Sequence, residues 1–196
     1  AYGSVVDRLA PGKDRELPTF AAFPYTIADG SIVPAQHASF LGKVHDPLLV
    51  LRDPSEPGFG LPELSLPANL SFDRLAARRE LQKIVDTQTR LLDHSSAARG
   101  LDAYYDKALA MLHSTKLREA FNLEAEPAQL RDAYGHTPYG QSCLLARRLV
   151  ERGVRFVSVM HASWDHHSGL NEELAFNAGM ADQPIAALIK DLKERG

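Results

Sequence analysis

Residues 155–169 read RFVSVMHASWDHHSG, and their first half, from Arg155 to His161, indicates one buried β-strand. A helix is predicted just before this strand, from Gly140 to Glu151, because apolar residues recur there at helical spacing. Gly153 is suited to end that helix in a left-handed conformation and to turn the chain into the strand. Helix, glycine and buried strand make up half of a βαβ unit, so the sequence predicts an α/β fold.

Prolines are concentrated in the first part of the chain, where nine of the 12 lie between Pro11 and Pro67. Within this part, the run from Thr19 to Pro24 suits a second short strand, and Tyr25 to Pro67 is predicted to be a long irregular excursion. Two strands are too few for a parallel sheet that is covered by many helices. We therefore expect the chain to be the central part of a longer protein.

Helical periodicity dominates the remainder of the chain. The helices are predicted from Ser71 to about His94, Leu101 to His113, Thr115 to Phe121 and Pro127 to Tyr134. A last helix carries Ile185, Leu188, Ile189 and Leu192, with Asp182 as its cap and Pro184 in its first turn. These elements predict one incomplete domain of three regions: strand plus loop excursion over 1–70, a helical cap or outer layer over 71–135, and helix, core strand, metal loop and helix over 136–196.

Charge and composition disfavour two classes of partner. The formal net charge is −3 with both signs interspersed, so no basic stripe is present that would neutralise a nucleic-acid backbone. No apolar run approaches the roughly 18 residues of a membrane span. Cys143 is the only cysteine, so it forms no intrachain disulfide, and its helical context predicts a buried thiol.

Residues that favour chemistry follow the predicted strand directly. In α/β folds, ligands gather where the carboxyl ends of parallel strands open into loops. Asp165 and His167 are two residues apart, so in an extended segment their side chains leave on the same face, while His166 points the other way. Carboxylate with neutral imidazole suits zinc or another first-row divalent ion. His161 is a candidate third ligand, supporting partner of a ligand, or proton shuttle.

Less reactive interpretations compete with this one. A His-His pair on a loop is commonly a solvated surface feature, although three of the eight histidines lie within residues 161–167. Trp164 is expected to pack the loop onto the core, with stacking on a substrate as the alternative. The polar run from His136 to Ser142 precedes a helix whose amino end either is simply capped or binds an anion.

An ordered series of short motifs resembles a known family. Along the chain these motifs are Phe40-Leu41-Gly42, His45-Asp46-Pro47-Leu48, Asp53-Pro54, Leu64-Ser65-Leu66-Pro67, Arg78-Arg79-Glu80-Leu81, Leu130-Arg131-Asp132, Gly140-Gln141-Ser142, Gly153-Val154-Arg155-Phe156-Val157, Trp164-Asp165-His166-His167 and Asp182-Gln183-Pro184. In this order they look like bacterial members of domain-of-unknown-function family 1501, a sulfatase-like branch of the alkaline phosphatase superfamily.

The resemblance implies a partial alkaline phosphatase-like three-layer fold, with a mainly parallel sheet between helices, rich in helix. It implies a metal-dependent hydrolase of phosphate or sulfate esters, acting on a small-molecule or carbohydrate ester in the periplasm or after secretion. Asp165 and His167 fall on the metal-binding positions of the family motif, His166 on its variable position, and His161 is a possible support. Zinc is preferred, with manganese, calcium or magnesium as alternatives.

The same resemblance implies that the nucleophile and the remaining ligands lie outside this segment, so the segment alone should be inactive even if its parent is an enzyme. A non-catalytic binding or structural module that retains the fold is the alternative.

Overall fold

The elements of the fold follow from the ranges that the structure describes. The computed structural model describes residues 2–26, 36–62, 66, 69–88, 96–162 and 164–196. In these ranges the α-helices are α1 Tyr2–Leu9, α2 Phe72–Gln88, α3 Ser96–His113, α4 Thr115–Phe121, α5 Ala128–Tyr134, α6 Pro138–Glu151 and α7 Leu170–Arg195. The strands are β1 Phe20–Phe23, β2 Leu48–Leu49 and β3 Phe156–Val159, and short 3-10 helices cover Ser39–Leu41, Lys43–His45 and Leu123–Ala125.

The three strands form one parallel sheet in the order β2-β1-β3. Phe20 pairs with Phe156 and Phe23 pairs with Val159, so the two strands predicted from the sequence lie side by side in register. The prediction of only two strands was wrong, because Leu48–Leu49 adds a third strand inside the proline-rich excursion. The helix-rich α/β class is confirmed.

Helices cover both faces of this sheet. Side chains alternate along β1, and Phe20 faces α1, where a Cβ added at Gly3 would meet the Phe20 ring at 2.4 Å. Ala21 and Phe23 lie in the core cluster on the other face, together with buried leucines of α6. Each fully buried leucine there stabilises the fold by about 1.5–3 kcal/mol. Helix α6 and the preceding strands therefore fix where β3 ends.

Several helix boundaries differ from the sequence prediction. Helix α7 begins at Leu170, so Asp182 is not its cap and Pro184 lies inside the helix rather than in its first turn. The left-handed Gly169 begins this helix, and the apolar residues of its early turns are exposed, which removes the usual amphipathic signal. The predicted end of the second helix near His94 lies outside the described residues.

Helix α1 was not predicted at all. It buries Gly3, Ser4 and Asp7 and exposes Tyr2 and Leu9, which is the reverse of the usual amphipathic pattern. The division into three regions stays a prediction. Across the described ranges, no helix has the length and apolarity that crossing a membrane requires.

Candidate functional site

The candidate site is the loop between β3 and α7, and its first residues are tied to the sheet. The backbone N–H of Met160 donates to the carbonyl oxygen of Phe23 at 2.8 Å, and the N–H of Ala162 donates to the Tyr25 hydroxyl at 2.5 Å. Both contacts connect the exit of β3 to the exit of β1. The loop therefore starts at the carboxyl edge of the parallel sheet, as the sequence predicted.

His161 is held at this edge by two aromatic neighbours. Its ring stacks on Tyr139 with centroids 4.6 Å apart, and the indole N–H of Trp164 donates to His161 Nδ1 at 2.9 Å. Burial lowers the pKa of His161, so the ring is neutral at neutral pH. Because Nδ1 accepts a hydrogen bond, the ring proton lies on Nε2. Trp164 packs against His161, as predicted, while remaining 45% exposed.

Asp165 and His167 project from the loop into solvent. Their side chains are 89% and 85% exposed, and His167 Nε2 lies 3.1 Å from Asp165 Oδ2. The structure thus brings these two predicted ligands together. The contact is a hydrogen bond when the imidazole nitrogen carries a proton.

His166 takes the opposite direction, as the two-residue period predicts. Its side chain is 6% exposed, and its Nδ1–H donates to Glu173 Oε2, in the first turn of α7, at 2.8 Å. Its Nε2 atom is buried and has no hydrogen-bond partner within the described part of the chain. Nothing in the sequence signalled the role of Glu173, because Glu172 beside it is an equally plausible partner by residue type.

The donor atoms of Asp165 and His167 fit two positions around a metal ion. Ligand oxygen and nitrogen atoms of a tetrahedral zinc site lie about 3.4 Å apart at the usual bond lengths, so the observed separation needs to open by only a few tenths of an ångström. A third ligand is not supplied by the described residues, which contain no group of three His, Cys, Asp or Glu side chains able to hold a metal. His161 is therefore not brought into a three-residue site.

An acidic cleft adjoins the pair. It is lined by Asp165, Glu172, Glu173, Phe176 and Asn177. Three carboxylates in one open cleft create a negative potential, which favours cations and disfavours anions near Asp165.

The other candidate groups are explained by packing and capping. At the amino end of α6, the Thr137 hydroxyl accepts from the Gly140 N–H at 3.0 Å, so that end is capped by its own side chain. Gln141 is fully buried, and its amide group donates to the carbonyl oxygens of Arg131 and Gly135. Burial raises the pKa of Cys143 to about 11, so the thiol is protonated and unreactive at neutral pH.

The fold and the loop together define an α/β protein with helices on both faces of a parallel sheet and a carboxylate–imidazole pair at the sheet's carboxyl edge. The family model described as "Protein of unknown function (DUF1501)" matches residues 1–196, so the chain belongs to this family. Comparisons with curated proteins and with solved structures return no match. The family expected from the ordered motifs is thus confirmed.

Proposed function

We propose that this chain contributes two metal ligands, Asp165 and His167, to a metal-dependent hydrolase of phosphate or sulfate esters. The observation that carries the proposal is the exposed carboxylate–imidazole pair, 3.1 Å apart, on the loop that follows a parallel strand. Assignment to the sulfatase-like branch of the alkaline phosphatase superfamily is part of this proposal. The Trp164-Asp165-His166-His167 motif and the α/β class support it.

Zinc is the preferred ion, because one carboxylate oxygen and one imidazole nitrogen match its usual ligands, and manganese, calcium and magnesium are the alternatives. When bound, such an ion supplies Lewis-acid chemistry, polarising an ester oxygen and activating a nucleophile. Asp165 and His167 would hold it, and His161 would support the site with a proton on Nε2. A catalytic zinc needs a third protein ligand, so activity requires a residue beyond this pair.

Charge makes the metal a precondition for binding the proposed substrate. Asp165, Glu172 and Glu173 surround the site with negative charge, which repels an anionic ester. A divalent cation between Asp165 and His167 would offset part of that repulsion. We therefore expect small-molecule or carbohydrate esters to bind in the presence of metal and to bind weakly or not at all in its absence.

A non-catalytic binding or structural module is the second candidate. The high exposure of both ligands, and the lack of a three-residue metal group among the residues described, favour this alternative. Phe40, which is 92% exposed in the proline-rich excursion, offers an apolar contact for a partner.

Zinc titration of the chain by isothermal calorimetry tests the ligand assignment. Asp165→Asn removes one of two charged or neutral donors and should weaken zinc binding by about tenfold or more. Asp182→Asn is the matched control, because Asp182 is exposed on α7 away from the loop and its loss changes the net charge equally. Equal zinc affinity in the wild type and in Asp165→Asn would contradict the assignment.

Hydrolysis of p-nitrophenyl phosphate and p-nitrophenyl sulfate then separates the two functions. In a protein that contains this chain and turns over either ester, chelation should abolish the activity and zinc or manganese should restore it. A chain that binds zinc but turns over neither ester, alone or in its longer parent, is a binding module.

A further inference from the structure

We propose that His166 and Glu173 are positioning residues that hold the loop so that Asp165 and His167 project together from it. This inference rests on the proposed metal-binding function of Asp165 and His167. It assigns a role to the histidine that the motif leaves variable, and to a glutamate that lies outside the motif.

Alternation along the loop carries the argument. Trp164 and His166 point inward, where Trp164 bonds to His161 and His166 bonds to Glu173. Asp165 and His167 point outward into solvent. Because successive side chains of an extended segment leave on opposite faces, each inward contact fixes the direction of its outward neighbours. Asp165 is thereby held between two anchors, and His167 follows the second of them.

The environment of His166 shows that its ring is retained for the bond to Glu173. A buried imidazole that satisfies only one nitrogen is unfavourable, and its Nε2 has no partner among the described residues. The ionised carboxylate of Glu173 accepts, so Nδ1 carries the proton and the neutral ring has a lone pair on Nε2. Glu173 belongs to α7, a helix of 26 residues, so the loop is anchored to a rigid element.

Anchoring of this kind should appear as metal affinity. A ligand pair on a free loop loses conformational entropy when it binds an ion, whereas a pair already held in place loses less. Partners that orient metal ligands commonly change metal affinity by about 10- to 100-fold when they are removed. We expect a change of that size when the His166–Glu173 bond is broken.

Three variants of the full chain test the proposal. Glu173→Ala removes the acceptor, while Glu173→Gln removes the charge but keeps an oxygen that can accept from His166 Nδ1. Glu172→Ala is the matched control, because Glu172 also lies in the first turn of α7, lines the same acidic cleft and loses the same charge. Asp165→Asn reports separately on the proposed metal site.

Two measurements are made on each protein. In the metal-free chain, heteronuclear NOE values of the backbone amides of residues 165 and 167 report loop order, and imidazole ¹⁵N spectra report whether His166 Nδ1 carries the proton. Zinc chloride titration by calorimetry then reports affinity. We expect Glu173→Ala to lower the NOE values and to weaken zinc binding about 10- to 100-fold. Glu173→Gln should recover most of both, and Glu172→Ala should resemble the wild type.

The proposal is overturned if the loop amides in Glu173→Ala are as ordered as in the wild type, or if Glu173→Ala and Glu172→Ala bind zinc equally well. Failure of the proposed function gives a different result. In that case the wild type binds no zinc, or Asp165→Asn binds it unchanged, and the loop-order measurement alone decides whether His166 and Glu173 hold the loop.

Discussion

Gly140 shows how a single residue sets the geometry around the site. It lies in the first turn of α6, where a Cβ would meet the backbone oxygens of Tyr134 and Gly135 at 2.3 and 2.4 Å. Backbone oxygens cannot swing aside as the end of a flexible side chain does, so any side chain here forces α5 and α6 apart. The adjacent Gln141 joins the same two helices through its buried amide.

Gly140→Ala should therefore destabilise the chain by about 1–3 kcal/mol, the usual cost of overpacking a close contact. Gly179→Ala is the control, since Gly179 lies in α7 with nothing within 4 Å of an added Cβ. It should stabilise the chain by up to about 1 kcal/mol through helix propensity. Urea unfolding measures both, and an unchanged midpoint for Gly140→Ala would contradict the steric argument.

At this scale, the sequence predicted directions better than environments. The two-residue period correctly placed Asp165 and His167 on one face and His166 on the other, because that period is a property of the extended backbone. The burial of His166 and its bond to Glu173 depend on how α7 packs beside the loop. Long-range packing leaves no local sequence signal, so this partner was not predictable.

At the scale of elements, a buried ionic network holds α6 against its neighbours. The guanidinium of Arg147 is 1% exposed and lies 2.9 Å from Glu126, 2.7 Å from Glu151 and 3.0 Å from Asp191. Arg148 pairs with Glu126 as well. The Tyr134 hydroxyl donates to Asp191 at 2.9 Å, so α5, α6 and α7 meet at this network.

Arg147→Met should destabilise the chain by about 3–5 kcal/mol, because it leaves buried carboxylates without their cation. Arg195 pairs with the same Asp191 and Glu151 but is 43% exposed, so Arg195→Met should cost less than about 1 kcal/mol. Thermal unfolding of the two variants side by side measures the difference. Equal losses would show that burial does not set the strength of this network.

The helices were predictable where an apolar face meets the core and not where that relation is lost. Helix α6 was expected from its periodicity and carries Leu144, Leu145 and Leu149 into the core. Helix α1 turns small and polar residues inward, and the early turns of α7 leave apolar residues exposed, so a search for apolar stripes misplaced or missed both.

At the scale of the whole molecule, a three-layer arrangement brings distant parts of the chain to one sheet. Strands β1 and β3 were predictable as apolar runs bounded by turn residues. Strand β2 has two residues within a proline-rich segment, too few to show alternation. Its pairing with β1 is decided by the packing of the first region against the sheet, which no local pattern reports.

Buried carboxylates also tie these distant parts together. Asp7 of α1 accepts from His45 at 2.7 Å and from Lys107 at 3.1 Å. Burial alone would raise the pKa of Asp7, but hydrogen bonds from His45, Thr19 and Lys107 outweigh it and the pKa is lowered. The pKa of Glu126 is lowered in the same way by Arg147 and Arg148, which again outweigh the effect of burial.

These shifts predict the direction in which stability depends on pH. A carboxyl group whose pKa is lower in the folded chain binds fewer protons there than in the unfolded chain, so its contribution is present above the unfolded pKa and is lost as pH falls. For Asp7, Glu126 and Asp191, whose pKa is also lowered, the loss should begin below about pH 5 and total about 1–2 kcal/mol after solvent screening. Urea unfolding from about pH 7 to about pH 3 measures the trend. Glu126→Gln should lower stability at neutral pH and also flatten this slope, because the amide cannot take up the proton that the wild-type carboxylate gains. If the wild type is equally stable across that range, these three carboxylates do not link the fold to protonation, and the ionic contacts contribute geometry rather than free energy.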